Sequence, residues 1–129
     1  MSYDVIVFDA KVAPKSEEEF EDWLDEVDEA DDFTQNPSKC SANLQSFFTE
    51  FSVTFPAMGT SENDLENLRE TPYGFSKHTI EANFAFSVAQ EAGKLMLKIG
   101  PKHDVGIYDE QDGEVYFPIS QSEYQEGFI

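Results

Sequence analysis

Cysteine, histidine and basic residues are all scarce in this 129-residue chain, and each scarcity argues against a class of function. The single cysteine, Cys40, permits no intrachain disulfide. It favours a reducing compartment, although a secreted protein without disulfides fits the same count. The two histidines, His78 and His103, show no HExxH or other short ligand spacing, and one cysteine does not build a zinc cluster. We therefore expect no metal site and no cofactor.

Long apolar runs and catalytic motifs are also missing. No window approaches the roughly 20 apolar residues of a transmembrane helix. The N-terminal segment, MSYDVIVFDA, has no basic stretch of the kind that begins a signal peptide. The chain contains no P-loop, no GxGxxG and no GxSxG elbow. These absences predict a soluble, cytoplasmic protein that is not an enzyme.

The balance of charge is the strongest compositional feature. Lysine and arginine number 8 against 27 aspartates and glutamates, which gives a formal net charge of −19. Such a charge repels nucleic acid and anionic membranes and favours a basic protein partner. Because 40% of the residues are hydrophobic and 12 are phenylalanine, the chain also has enough apolar mass for a core. Its length fits one domain over residues 1–129, either monomeric or dimeric.

Residues 17–32 hold the densest charge and read EEEFEDWLDEVDEADD, with eleven carboxylates and no basic residue. Four apolar side chains recur in this stretch at i, i+3, i+4 and i+7: Phe20, Trp23, Leu24 and Val27. This spacing predicts an amphipathic helix, and Ser16 with Glu19 forms a capping box at its start. The candidate partner-binding residues are Glu18, Asp22, Asp25 and Glu29, which lie on the opposite face, and Glu26, which flanks them.

The acids at the C-terminal end of this helix oppose its own stability. Asp28 and Glu29 face the negative end of the helix dipole, where an exposed acid costs about 0.3–1 kcal/mol. A sequence selected only for folding would place lysine there, so the charge indicates a second role, namely contact with a basic groove. The alternative is a solvated face that keeps the protein soluble.

The remaining pattern predicts an α+β domain in the order β-α-α-β-α-β-β. Strands are expected at residues 3–8, 79–86, 105–108 and 115–117, with the last two joined as a hairpin by Asp109 to Gly113. A second helix should begin at Asn36-Pro37 and end before Pro56, and a third should be capped by Ser87 and closed by Gly100-Pro101. We expect a roughly four-stranded sheet with helices mainly on one face, a long connection at 57–78 and a tail at 119–129.

Two other functions remain open. A small ligand-binding or enzymatic domain could have its pocket near Tyr73, His78 and His103, below the long connection. An oligomer-forming module could use the aromatic tail at 124–129. Cys40 is interpreted as a small core residue on the second helix. The turn DEQDGE resembles a fragment of a calcium loop but lacks the twelve-residue register.

Three short stretches resemble a known family. They read SYDVIVFDA at 2–10, NFAFSVAQEA at 83–92 and KHDVGIYDEQDGEVYFP at 102–118. Small bacterial proteins of uncharacterised type share such a strand, a junction like Phe84-Ala85-Phe86-Ser87 and a hairpin like the one after His103. The chain is thus similar to immunity proteins of secreted polymorphic or type VI toxin systems. The resemblance implies an inhibitor that masks the active site of a basic toxin, such as a nuclease, and it carries no catalytic residue over.

Overall fold

The computed structural model describes residues 3–14, 16–30, 34–57 and 69–118, without the side chains of Glu17 and of residues 28–30. Within these ranges the chain forms the following strands and helices: β1 (Tyr3–Asp9), α1 (Glu17–Ala30), α2 (Ala42–Phe51), β2 (Tyr73–Phe75), β3 (Thr79–Phe84), α3 (Phe86–Ile99), β4 (Val105–Asp109) and β5 (Glu114–Tyr116). Two 3₁₀ turns, Pro37–Lys39 and Gly100–His103, precede α2 and follow α3. The predicted α+β class is confirmed.

The strands form one antiparallel sheet in the order β2-β3-β1-β4-β5. The central strand is β1, where Val7 pairs with Ile80 on one side and with Ile107 on the other. The sheet has five strands rather than four, because β2 forms inside the predicted connection at 57–78. A three-residue strand is too short for a periodic signal. Its pairing with β3 and the bridge from Thr34 to Phe75 define it instead.

The two faces of the sheet bury separate clusters. Val5 and Val7 of β1 point into a core closed by α2 and α3, whereas Ile6 and Phe8 point into a smaller core closed by α1. This alternation follows from the two-residue period of a strand. Of the three helices in the described ranges, α2 and α3 therefore share one face of the sheet, and α1 packs on the other face.

The amphipathic pattern of α1 is confirmed. The backbone N–H of Glu19 donates to Ser16 Oγ at 3.2 Å, which caps the helix as predicted. Phe20 is completely buried and Leu24 almost so. The Phe20 ring lies 4.6 Å from that of Phe8, centroid to centroid. Burying such a side chain contributes about 1.5–3 kcal/mol, so these apolar residues anchor the helix.

The second helix begins later and ends earlier than predicted. Asn36 caps the 3₁₀ turn, accepting a hydrogen bond from Ser38 N at 3.0 Å, and α2 begins only at Ala42. The helical structure is interrupted between the 3₁₀ turn and α2, because the backbone N of Ser41 donates a hydrogen bond to Lys77 O at 2.8 Å. Lys77 is distant from Ser41 in the sequence. Cys40 is buried at this break. Its predicted burial is right, but its predicted place on the helix is wrong.

The C-terminal elements follow the prediction with small shifts. The third helix begins at Phe86, with Ala85 rather than Ser87 at the N-cap, and the strand before it ends at Phe84 instead of residue 86. The expected hairpin forms from β4 and β5. Gly113 takes a φ of 74° in its turn, a conformation that glycine adopts without steric cost. The predicted tail at 119–129 lies outside the described residues.

Candidate functional site

The outer face of α1 carries the predicted acidic row. The four described side chains of the row are exposed to solvent: Glu18, Asp22, Asp25 and Glu26. The fifth candidate, Glu29, lies in the helix, but its side chain is outside the described residues. Because Phe20 and Leu24 fix the rotation of the helix against the sheet, Glu18, Asp22 and Asp25 are held in a line of about one per 5.4 Å turn. Glu26 lies beside this line.

This charge has no internal compensation in the described part of the chain. The ion pairs found there join Arg69 to Glu91, and Lys102 and His103 to Glu50, each at 2.8 Å. None of them involves α1, and the helix itself contains no lysine or arginine. The exposed carboxylates of α1 are therefore available to cations from outside.

The acidic surface continues from α1 onto the hairpin. Tyr108 of β4 packs against the α1 core, with its ring 5.5 Å from that of Phe20. Burial raises the pKa of the Tyr108 hydroxyl, and the charges of Glu21, Glu110 and Asp25 raise it further. Carboxylates of α1 and of the hairpin turn thus act on one half-buried tyrosine. Sequence patterns hold no sign of this contact because the two segments are far apart in the chain.

A second feature lies on the other face of the sheet. A cavity of about 310 Å³, here called the α3 cavity, lies between α3 and the strands β1, β4 and β5. Its walls are largely apolar and include Val5, Met96, Leu97 and Ile107. Tyr3, Phe86 and Tyr116 also line it. Its size is at the lower end of the ~300–1,000 Å³ typical of ligand pockets.

Asp109 adds a carboxylate to this apolar lining and is 5% exposed. Its Oδ2 accepts a hydrogen bond from the Tyr3 hydroxyl. Its Oδ1 accepts hydrogen bonds from the backbone N of Gln111 at 3.0 Å and from Gln111 Nε2 at 2.7 Å. Burial, together with the hydrogen bond to Asp109 and its charge, raises the pKa of Tyr3. The sequence analysis did not identify Asp109, Tyr3 and Gln111 as a group. One signal was present, because Asp109 follows Val105 and Ile107 at the two-residue spacing of a strand.

The residues of the alternative pocket have other surroundings. The Tyr73 hydroxyl is buried and donates to Phe55 O at 2.6 Å. His103 Nε2 lies 2.8 Å from Glu50 Oε1. His78 lies in the connection from β2 to β3, and its buried Nδ1 has no hydrogen-bond partner among the described residues. None of the three lines the α3 cavity or a second cavity of about 380 Å³ beside α2.

Cys40 and the carboxylates of the turn at 109–114 are the groups that the sequence offered as a nucleophile or as metal ligands. Burial raises the pKa of Cys40 to about 12, so at neutral pH its sulfur is a thiol rather than a thiolate. In the turn that resembles a calcium loop, Asp112 Oδ1 accepts from Glu114 N at 2.9 Å, and Gly113 N donates to Asp109 O at 2.8 Å. Within the described ranges, no three His, Cys, Asp or Glu side chains converge as metal ligands.

Comparisons with protein-family models, with curated proteins and with solved structures found no match to this chain. The resemblance to immunity proteins therefore stays a prediction. Among the described residues, no helix is long and apolar enough to cross a membrane.

Proposed function

We propose that this protein is a non-enzymatic, acidic binding protein of the immunity or inhibitor kind, which neutralises a basic bacterial toxin by masking its active site. One observation carries the proposal. The exposed acids of α1, among them Glu18, Asp22 and Asp25, have no ion-pair partner in the described part of the chain. The helix that presents them is anchored by a buried aromatic residue, Phe20.

A basic active-site groove is the partner chemistry that this surface fits. Nucleases and other nucleic-acid-binding proteins line such grooves with lysine and arginine, which neutralise phosphates. A row of carboxylates on a helix can occupy the same side chains and exclude the substrate. Attraction between opposite charges also steers the two proteins together and raises the association rate.

Tyr108 gives this surface an aromatic centre. It is half-buried between α1 and the hairpin turn, with the charges of Glu21, Asp25 and Glu110 around it. Tyrosine is enriched among the residues that contribute most to protein–protein affinity, because it supplies contact area at a low cost in entropy. The proposed interface therefore comprises the outer face of α1, Tyr108 and the adjacent turn.

The test is binding to the protein encoded by the gene adjacent to that of this protein, as the candidate toxin. We expect a complex that inhibits the toxin and whose affinity falls steeply between ~0.05 M and ~0.5 M NaCl, because salt screens exposed charges. Absence of a complex, or an affinity that does not change with salt, would contradict the proposal. Isothermal titration calorimetry measures both quantities.

Matched variants separate the surface from the total charge. Asp22→Asn with Asp25→Asn changes the net charge from −19 to −17. Ser46→Lys with Thr49→Lys makes the same change on exposed positions of α2, which lies on the opposite face of the sheet. Only the α1 pair should weaken binding substantially, on the order of 10-fold, given about 1 kcal/mol for each close charge pair. Equal effects from both pairs would mean that only the overall charge matters.

A further inference from the structure

The buried carboxylate of Asp109 is the charged group in the largely apolar lining of the α3 cavity. Side chains alternate along β4, so Asp109 points to the same face as Val105 and Ile107, which belong to the core. A polar group in such a place opposes the local pattern, and this kind of conflict is typical of binding sites.

Asp109 retains the capacity to accept another hydrogen bond. A carboxylate offers about four lone-pair positions, two on each oxygen. Gln111 occupies two positions on Oδ1, and the Tyr3 hydroxyl occupies one on Oδ2. One position on Oδ2 therefore remains for a donor that enters the cavity.

The donors that already contact Asp109 are neutral. A buried carboxylate costs free energy unless a cation balances it. In the described part of the chain, no lysine, arginine or histidine forms an ion pair with Asp109. A positive charge that reached Oδ2 would make a charge-assisted hydrogen bond, about twice as strong as a neutral one.

The aromatic residues that line the cavity also favour a cation. Burial raises the pKa of Tyr116, and the charges of Asp112, Glu114 and Asp109 raise it further, so this side chain lies in a negative field. Phe86 is 52% exposed, and its ring meets that of Tyr3 edge to face at 6.1 Å. An exposed ring beside a negative field suits the alkyl stem and the charged end of a basic side chain.

We propose that the α3 cavity binds a lysine or arginine side chain of the basic partner, with the alkyl stem between α3 and the sheet and the cationic end hydrogen-bonded to Asp109. This inference deepens the proposed function and rests on it, since it gives the partner a second contact away from α1. The apolar walls match the methylene groups, and the single carboxylate matches one charge. Anionic side chains are excluded by the same carboxylate.

A small probe tests the cavity without the partner. The n-pentylammonium ion has the stem and charge of lysine, and n-pentanol is its neutral counterpart. We expect n-pentylammonium to bind with a dissociation constant on the order of millimolar, at least ~10-fold tighter than n-pentanol. NMR titration should shift the amide signals of Gly93, Leu97 and Ile107, while the amide signal of Phe20 in α1, on the other face of the sheet, stays fixed.

Two variants make the test specific. Asp109→Asn keeps the shape of the side chain and removes its charge, so n-pentylammonium and n-pentanol should then bind equally. Ala89→Phe narrows the cavity, which Ala89 lines, without touching the carboxylate, and both probes should be lost. If Asp109→Asn does not fold, the Ala89→Phe variant still shows whether the probes bind in the α3 cavity. Equal affinity of the two probes for the unmodified protein, or shifts away from the cavity, would overturn the inference.

Binding measurements with the toxin distinguish failure of this inference from failure of the proposed function. Ala89→Phe should weaken the complex with the toxin by ~10-fold or more, as loss of one buried basic side chain would. If Ala89→Phe leaves the complex unchanged while the charge variants of α1 weaken it, the cavity inference fails and the proposed function stands. If no toxin binds but n-pentylammonium does, the proposed function fails, and the cavity is a site for free alkylamines rather than for a partner's side chain.

Discussion

At the scale of single residues, Phe8 and Gly106 lie in close contact beneath α1. Phe8 of β1 is opposite Gly106 of β4 in the sheet. Its ring is fully buried, between those of Phe20 and Phe117. A Cβ on residue 106 would collide with three ring carbons of Phe8. Glycine is therefore needed here for space, and its φ is not in the left-handed region.

We predict that Gly106→Ala lowers the free energy of unfolding by about 1–3 kcal/mol, as overpacking of a core does. Urea unfolding measures the loss. Phe8→Leu shortens the side chain that causes the collision, so Gly106→Ala should cost clearly less in a protein that already carries Phe8→Leu. A double-mutant cycle with no coupling between the two positions would contradict this account.

A second prediction at this scale concerns Glu50, which joins α2 to the turn after α3. Hydrogen bonds from Lys102 and then from His103 lower the pKa of Glu50 below its usual value of 4.5. A carboxyl group whose pKa is lower in the folded protein stabilises it above the unfolded-state pKa, and this contribution is lost as the pH falls through the folded-state value.

Glu50→Gln should therefore destabilise the protein at neutral pH and have no such effect once the pH is well below 4.5. Urea unfolding at a series of pH values measures the difference between the two proteins. Lys102→Gln removes the donor with the larger effect and should reduce the same pH dependence. A constant difference at all pH values would show that the glutamate acts through packing alone.

At the scale of elements, α1 combines an apolar inner face that packs on the sheet with acids in its last turn that oppose the stability of the helix. Phe20 and Leu24 bind the helix to the sheet, and Ser16 caps its start. Its last turn contains no basic residue, although two acids stand there. Acids near the first turn stabilise a helix and acids near the last turn destabilise it. The two ends of α1 therefore allow stability and binding to be separated.

We predict that Glu29→Lys raises the free energy of unfolding by about 0.3–1 kcal/mol while it weakens binding to the basic partner. Glu18→Lys is the matched control, because it makes the same change of charge in the first turn. It should lower stability by a similar amount and also weaken binding. If Glu29→Lys strengthened both properties, the acidic row would not be the binding surface.

At the scale of the whole molecule, the net charge of −19 is spread over 129 residues with only 8 lysines and arginines. Self-repulsion of this size opposes the compact state and is reduced by screening. The protein is therefore expected to be least stable at low ionic strength.

We predict that raising NaCl from ~0.02 M to ~0.5 M increases the unfolding temperature by on the order of 4 °C, which corresponds to about 1 kcal/mol for a domain of this size. Choline chloride should give the same increase, because screening depends on ionic strength alone. A much larger effect of magnesium chloride at equal ionic strength would instead reveal a specific divalent-cation site. Calorimetry in the three salts distinguishes these cases.

The sequence by itself determined the elements whose signal is local. The apolar spacing of α1 set its inner face, where Phe20 and Leu24 are buried and Trp23 is partly buried. The alternation in β1 divided Val5 and Val7 from Ile6 and Phe8, and the turn at Gly113 specified the hairpin. These features depend on the helical and strand periods and on turn chemistry. Each of these signals lies within one short segment of the sequence.

The tertiary structure alone decided what depends on residues distant in sequence. Pairing with β3 defined β2. The hydrogen bond from Ser41 N to Lys77 O moved the start of α2 to a later residue than the sequence predicted. Packing of β4 against β1 and α3 placed Asp109 in the α3 cavity, and packing beneath α1 placed Tyr108 beside its acids. Such contacts have no local period to reveal them. The sequence alone showed the charge of α1. The position of Tyr108 beside that helix and the burial of the Asp109 carboxylate could be seen only in the tertiary structure.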